Sequence, residues 1–154
     1  MCLKTSEVTR AYAIEMLNWK YPAPYEMYNG RQTESAIHEY LTCGYLAILN
    51  QDDQLIGSYC TGKSAQISSG HTSCAYEGDY LDIGLGMKPE LTGKGFGKKF
   101  FAFILQQFKM KPLRLTVATF NQRAIRLYEN FGFKRDTTFM SGETEFTTML
   151  RDNI

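Results

Sequence analysis

Apolar positions recur on two different periods along this chain, and the switches between those periods mark its elements. Tyr80-Leu81-Asp82-Ile83-Gly84-Leu85-Gly86-Met87 is an apolar run that closes at Lys88-Pro89. Proline cannot donate to a ladder, so a strand should stop there. Beyond the next glycines, Phe96, Phe100, Ile104 and Phe108 recur every fourth residue, with Phe101 and Leu105 beside them. Lys98, Lys99, Gln106, Gln107 and Lys109 lie largely off that stripe, and the 3.6-residue period predicts a helix over Gly95–Lys109. Val8, Tyr12, Ile14, Met16 and Leu17 predict a first helix over Glu7–Leu17. Ala36, Ile37, Tyr40 and Leu41 predict a second over Thr33–Leu41, which Thr33 can cap. Tyr45–Leu49 and Leu55–Thr61 read as strands around the polar turn Asn50–Gln54. Leu113–Ala118 reads as another strand, and Lys134–Met140 with Glu145–Arg151 as a closing hairpin about Ser141-Gly142. Cys2-Leu3-Lys4 is too short to assign, and Lys63–Asp79 reads as a long polar link to the central strand. Trp19–Gly30, dense in aromatics and interrupted by Pro22 and Pro24, cannot be one regular helix.

The turn between the central strand and its helix carries the chemistry. Strand, glycine-rich turn and helix in that order make an anion cradle. Glycines let backbone N–H groups approach a ligand closely, and the helix adds roughly half a positive charge at its first turn. Thr92, Gly93, Lys94, Gly95, Phe96, Gly97 and Lys98 are therefore candidate ligand-binding residues. A nucleoside-triphosphate loop needs G-x-x-x-x-G-K-[ST], which is absent. A dinucleotide fingerprint fails as well, because Gly97 follows Gly93 and Gly95 one residue early. The position about 20 residues past Gly95, where a ribose-binding acid would sit, is Leu115.

Thr92-Gly93-Lys94-Gly95-Phe96-Gly97 resembles the [QR]-x-x-G-x-[GA] signature of the GNAT superfamily of N-acetyltransferases. Asn121-Gln122-Arg123-Ala124-Ile125-Arg126-Leu127-Tyr128-Glu129-Asn130-Phe131-Gly132-Phe133 is similar to that family's N-x-x-A-x-x-L-Y-[EK]-x-x-G-F. The two motifs cover roughly the C-terminal half of the chain, in the right order. One departure is that Thr92 stands where the family has Gln or Arg.

The resemblance implies a mixed α/β (α+β) GNAT-type domain. Its central mixed sheet would contain a parallel, splayed strand pair, with about four helices flanking it. It implies acetyl-CoA as cosubstrate, with the diphosphate on the glycine turn and the pantetheine arm along the backbone of Leu85, Gly86 and Met87. Gly84 and Gly86 suit such a close approach. Asn121 and Ala124 match positions that contact the pantetheine chain, although Asn121 also suits a helix N-cap. Tyr128 matches the family's tyrosine that protonates the departing thiolate; without the family it reads as a core residue. The strand glutamate that some members carry falls near Leu81 here, so Asp82 is the first candidate base, with Asp79, Glu77, His71 or a water chain as alternatives. The expected reaction is acetyl transfer to a primary amine of a small molecule or of a peptide or protein N-terminus. The alternative is a GNAT-fold acyl-CoA sensor without turnover. The aromatic Trp19–Tyr28 loop is either a staple for the first helix or a wall of the acceptor pocket.

Composition narrows the remaining classes. The 154 residues suit a single domain over 1–154, with 44% hydrophobic and 21% charged residues and a formal net charge of +1. That balance argues against a nucleic-acid partner. No apolar run approaches the ~20 residues of a membrane span, and the N-terminus lacks a signal peptide's apolar segment. Cys2, Cys43, Cys60 and Cys74 form no C-x-x-C pair, and His38 and His71 suggest no metal cluster. A cytoplasmic enzyme with free thiols and no metal is the expectation, and a homodimer is compatible with it.

Overall fold

The computed structural model describes residues 2–152. Seven strands and four α-helices are assigned among them: β1 (Lys4–Glu7), α1 (Arg10–Asn18), α2 (Glu34–Thr42), β2 (Leu46–Leu49), β3 (Leu55–Thr61), β4 (Leu81–Met87), α3 (Phe96–Gln106), β5 (Leu113–Ala118), α4 (Gln122–Asn130), β6 (Lys134–Ser141) and β7 (Thr144–Arg151). The strands form one mixed sheet in the order β1-β2-β3-β4-β5-β7-β6. The pair β4–β5 is parallel; the registered pairs β1–β2, β2–β3, β5–β7 and β6–β7 are antiparallel. The fold class matches the sequence expectation. By contacts the chain forms two compact units, one of residues 1–60 with 85–104 and one of residues 61–84 with 105–154.

In the first unit, local capping and apolar faces agree. Thr9 caps α1 by accepting from the Tyr12 amide, and Thr33 caps α2 by accepting from the Ala36 amide, so each hydroxyl satisfies one orphan donor. Ala13 and Leu17 of α1 pack with Ile37 of α2, while Met16 and Trp19 pack with Ala47, Leu49 and Leu55 of the sheet. β3 is buried along nearly its whole length, as a strand covered on both faces should be. The β2–β3 turn is held by Asn50, whose Oδ1 accepts from the Asp52 and Gln54 amides at 2.9 and 3.0 Å. β1 begins where Cys2-Leu3-Lys4 left the sequence pattern open.

A missing side chain sets the packing of α3. At Gly57 on β3, an added Cβ would lie 2.3 Å from the Gly86 carbonyl oxygen and 2.6 Å from Cζ of Phe100. Only glycine lets the β4 backbone and the helix ring come that close.

The second unit is built on β5, β6 and β7. Phe139 and Phe146 stack at 5.9 Å and pack with Ala75, Ala118, Ile67 and Tyr76. The stretch 63–79, expected as a polar link, overlaps the 3₁₀ turn Gly62–Ala65, contains a second, Ser68–Gly70, and contributes Ala75 to this core. Gly142 at φ 60° makes the tight β6–β7 turn.

Candidate active site

The anion cradle is built from backbone. β4 ends as the Lys88 amide donates to the Ile56 carbonyl at 2.8 Å, and Pro89–Leu91 follow as a 3₁₀ turn. The Thr92 hydroxyl donates to the Pro89 carbonyl at 2.7 Å, so this side chain fastens the 3₁₀ turn. Gly93 and Gly95 then take φ of 73° and 81°, in the left-handed region that side chains resist. An added Cβ at Gly95 would meet nothing within 4 Å, so its requirement is conformational rather than steric. Gly93, Lys94 and Gly95 are exposed, and α3 starts at Phe96 with Gly97 and Lys98 next. The first amides of a helix have no intrahelical partner, and no acidic residue occupies the first turn of α3. These features fit a bound diphosphate.

Leu85, Gly86 and Met87 lie on the half-buried end of β4. An added Cβ at Gly86 would meet nothing within 4 Å, so that face of the strand is open. The Met87 carbonyl accepts from the Tyr21 hydroxyl at 2.8 Å, which ties the aromatic loop to the strand end. Burial, then the nearby Tyr40 and Glu90, pushes the Tyr21 hydroxyl well above its ordinary value, which keeps it protonated as the donor. Tyr28 packs edge-on against Tyr21 at 6.2 Å and stacks with Tyr25 at 6.5 Å. Nothing in the sequence pairs Tyr21 with Met87, because the contact spans the chain between them.

The second unit holds the other group of site residues. Asn121 caps α4, with Oδ1 accepting from the Ala124 amide at 3.2 Å. Tyr128, near the end of that helix, is 9% exposed and its ring lies 6.4 Å from Phe133. Its carbonyl accepts from the Phe131 and Phe133 amides, which ends the helix into Gly132 at φ 91°. Asn121, Ala124 and Tyr128 are thus gathered on one short helix.

Asp82 is placed differently from the expectation. Its Oδ1 accepts from Arg114 Nε at 2.7 Å, and its Oδ2 accepts from Arg114 Nη2 and Gln66 Nε2, both at 2.8 Å. The Arg114 and Asp82 side chains are 3% and 4% exposed. The hydrogen bond to Asp82 is the first cause holding the Arg114 guanidinium above its ordinary value, against the opposing effect of burial. A general base needs an oxygen turned toward its proton, and here both oxygens face fixed donors. Asp82 is a counter-ion in this geometry rather than a base. The alternatives Glu77, Asp79 and His71 are exposed, with the His71 ring 5.1 Å from Tyr76. Sequence reasoning does not single out Arg114, although one charge inside Leu113-Arg114-Leu115-Thr116-Val117-Ala118 is a signal that a buried partner exists.

Comparison with known proteins gives a consistent answer. The acetyltransferase (GNAT) family matches residues 11–133. No curated protein matches the chain. Among solved structures it is similar to the aminoglycoside acetyltransferase AAC(6')-Ib in complex with ribostamycin and coenzyme A, at 18% identity and a TM-score of 0.69, covering 99% of this chain and 94% of that one. It is also similar to a variant of spermidine N-acetyltransferase SpeG from Vibrio cholerae, at 18% identity and a TM-score of 0.63, covering 98% of this chain and 94% of that one. At these identities the structural likeness speaks for the fold, and the family match speaks for descent. The chain belongs to the acetyltransferase (GNAT) family.

Proposed function

We propose that this acetyltransferase moves an acetyl group from acetyl-CoA to a primary amine of a small molecule or of a peptide or protein N-terminus. The observation that carries this is the turn Thr92–Lys98: two exposed left-handed glycines open onto a helix start without an acidic residue. Such a turn favours a coenzyme diphosphate. Thr92 keeps the turn's shape, the amides of Gly93 to Lys98 hold the anion, and Lys94 and Lys98 add positive charge. The backbone of Leu85, Gly86 and Met87 aligns the pantetheine arm, with Asn121 and Ala124 on α4 contributing to it.

When bound, acetyl-CoA supplies an activated acyl carbon, and the chain must manage protons around it. A carbon–nitrogen bond forms and a carbon–sulfur bond breaks. The amine arrives largely as an ammonium at neutral pH and must lose one proton before attack and another after it. Tyr128 Oη is assigned the proton that the departing sulfur takes up. Exposed Glu77, Asp79 or His71, or ordered water, accepts protons from the amine. The tyrosines at the end of β4, with Glu90 beside Tyr21, suit an acceptor that carries positive charge. Neighbouring folds that act on spermidine and on aminoglycosides fit the same class. Four cysteines without disulfides suit a cytoplasmic setting.

A thiol-release assay with acetyl-CoA and a panel of amines, including a polyamine and an aminoglycoside, tests the reading. Amine-dependent thiol release supports it. The second reading, an acyl-CoA sensor, is favoured by the commitment of Asp82 to Arg114. Tight coenzyme binding with no thiol released by any amine would decide for the sensor.

A further inference from the structure

The ion pair Asp82–Arg114 has no task in acyl transfer as described, yet it is the hub of its unit. Asp82 and Arg114 face each other across the parallel ladder, where the registered pairs are Leu81 with Leu113 and Asp82 with Arg114. β4 continues to Met87 and β5 to Ala118, so the ion pair stands on the last registered rung. Its other bonds reach back into the segment that leads to β4. Arg114 Nη1 donates to the Glu77 carbonyl at 2.6 Å and Nη2 to the Tyr76 carbonyl at 3.2 Å. The rings of Tyr76 and Tyr80 lie 5.2 and 5.7 Å from the guanidinium carbon. Tyr76 in turn accepts from the Ile67 amide at 2.9 Å and shares a hydrogen bond with Thr116 Oγ1 at 2.8 Å, on β5 past the rung.

Stability alone does not explain this arrangement. Removing two charges from water is costly, and a well-packed apolar pair of similar volume is often at least as stable. What a bidentate guanidinium–carboxylate fork adds is direction, because its two parallel bonds allow one relative placement of the strands that carry it.

We propose that Asp82 and Arg114 are positioning residues that fix where β4 parts from β5, and so set the path of the Leu85–Met87 backbone. The inference rests on the assignment of that backbone to the pantetheine arm. It predicts that a folded protein with a distorted fork binds acetyl-CoA poorly, although no fork atom is assigned to the ligand. Asp82→Glu keeps the charge and lengthens the arm; Arg114→Lys keeps the charge and loses the fork.

Calorimetric titration with acetyl-CoA, at a temperature where circular dichroism shows each protein folded, gives the test. The wild type should bind, and both variants should lose about tenfold to a hundredfold in affinity, the scale expected for a small misplacement of binding groups. Folded variants that bind as tightly as wild type, with only their melting temperatures lowered, overturn the inference and leave a structural ion pair. A wild type that takes up no acetyl-CoA overturns the assignment of the coenzyme site itself, and the inference falls with it. Should both variants melt below the assay temperature, Gln66→Met takes their place, since it removes one of the three bonds to the carboxylate. Weaker binding by that folded variant supports the inference, and binding as tight as wild type overturns it.

Discussion

The glycine turn and the Asp82–Arg114 hub solve opposite problems. The turn is exposed and made of backbone, and Thr92 fastens it with a single hydroxyl. The hub is buried and made of side chains, with both carboxylate oxygens of Asp82 facing donors. This backbone site can be perturbed with little loss of fold, because its glycines are exposed and an added Cβ at Gly95 would meet nothing within 4 Å. A buried side-chain network cannot, because each removed partner strands the others.

The sharpest way to break that contrast is Asp82→Ala. It leaves the guanidinium buried without its counter-ion and should cost about 3–5 kcal/mol. That corresponds to a melting temperature lower by roughly 6–20 °C, read by circular dichroism. Next comes Tyr128→Phe, expected to lower kcat about a hundredfold with acetyl-CoA affinity unchanged, read by steady-state kinetics beside calorimetry. Gly95→Ala forces a side chain into φ 81° and should cost roughly 1–2 kcal/mol locally, seen mainly as weaker acetyl-CoA binding rather than lower melting. If Gly95→Ala lowered melting as far as Asp82→Ala, the distinction between the two regions would collapse.

The smallest effect concerns pH. Tyr21 is raised on folding by burial, Tyr40 and Glu90. A group raised in this way contributes its full stability below its unfolded value of about 10 and loses it as pH climbs from there toward the folded value. Tyr21→Phe should forfeit about 1 kcal/mol at neutral pH with the Met87 bond, and should flatten the alkaline fall above pH ~10 in denaturant titrations. Tyr40 and Tyr45 are raised too, chiefly by burial, so the flattening is partial.

How much the sequence reveals follows the same division. Wherever a constraint is local, it is legible. The stripe Phe96, Phe100, Ile104 places α3, the Thr33 cap fixes α2, and β5 runs from Leu113 to Ala118 as its apolar run suggests. The fold class follows from these elements and from the motif resemblance. Asn121 also caps its helix, one of the two roles open to it. Non-local constraints are hidden. Asp82 looks like a candidate base on a strand because its partner lies on another strand, and only the register of a parallel ladder brings them together. The polar composition of 63–79 suggests a loose link, whereas Tyr76 and Glu77 are held by Arg114, and Ala75 is core. β1 is too short for any period to declare itself, and its antiparallel pairing with β2 supplies the order its sequence lacks.

The close seat of Phe100 over Gly57 has a practical corollary for anyone re-engineering this fold. A single hydrogen atom at that α-carbon leaves room for the Gly86 carbonyl oxygen and the tip of the Phe100 ring. Position 57 belongs among the residues left untouched, since even a methyl there would collide with the Gly86 carbonyl of the neighbouring strand and force that backbone to shift.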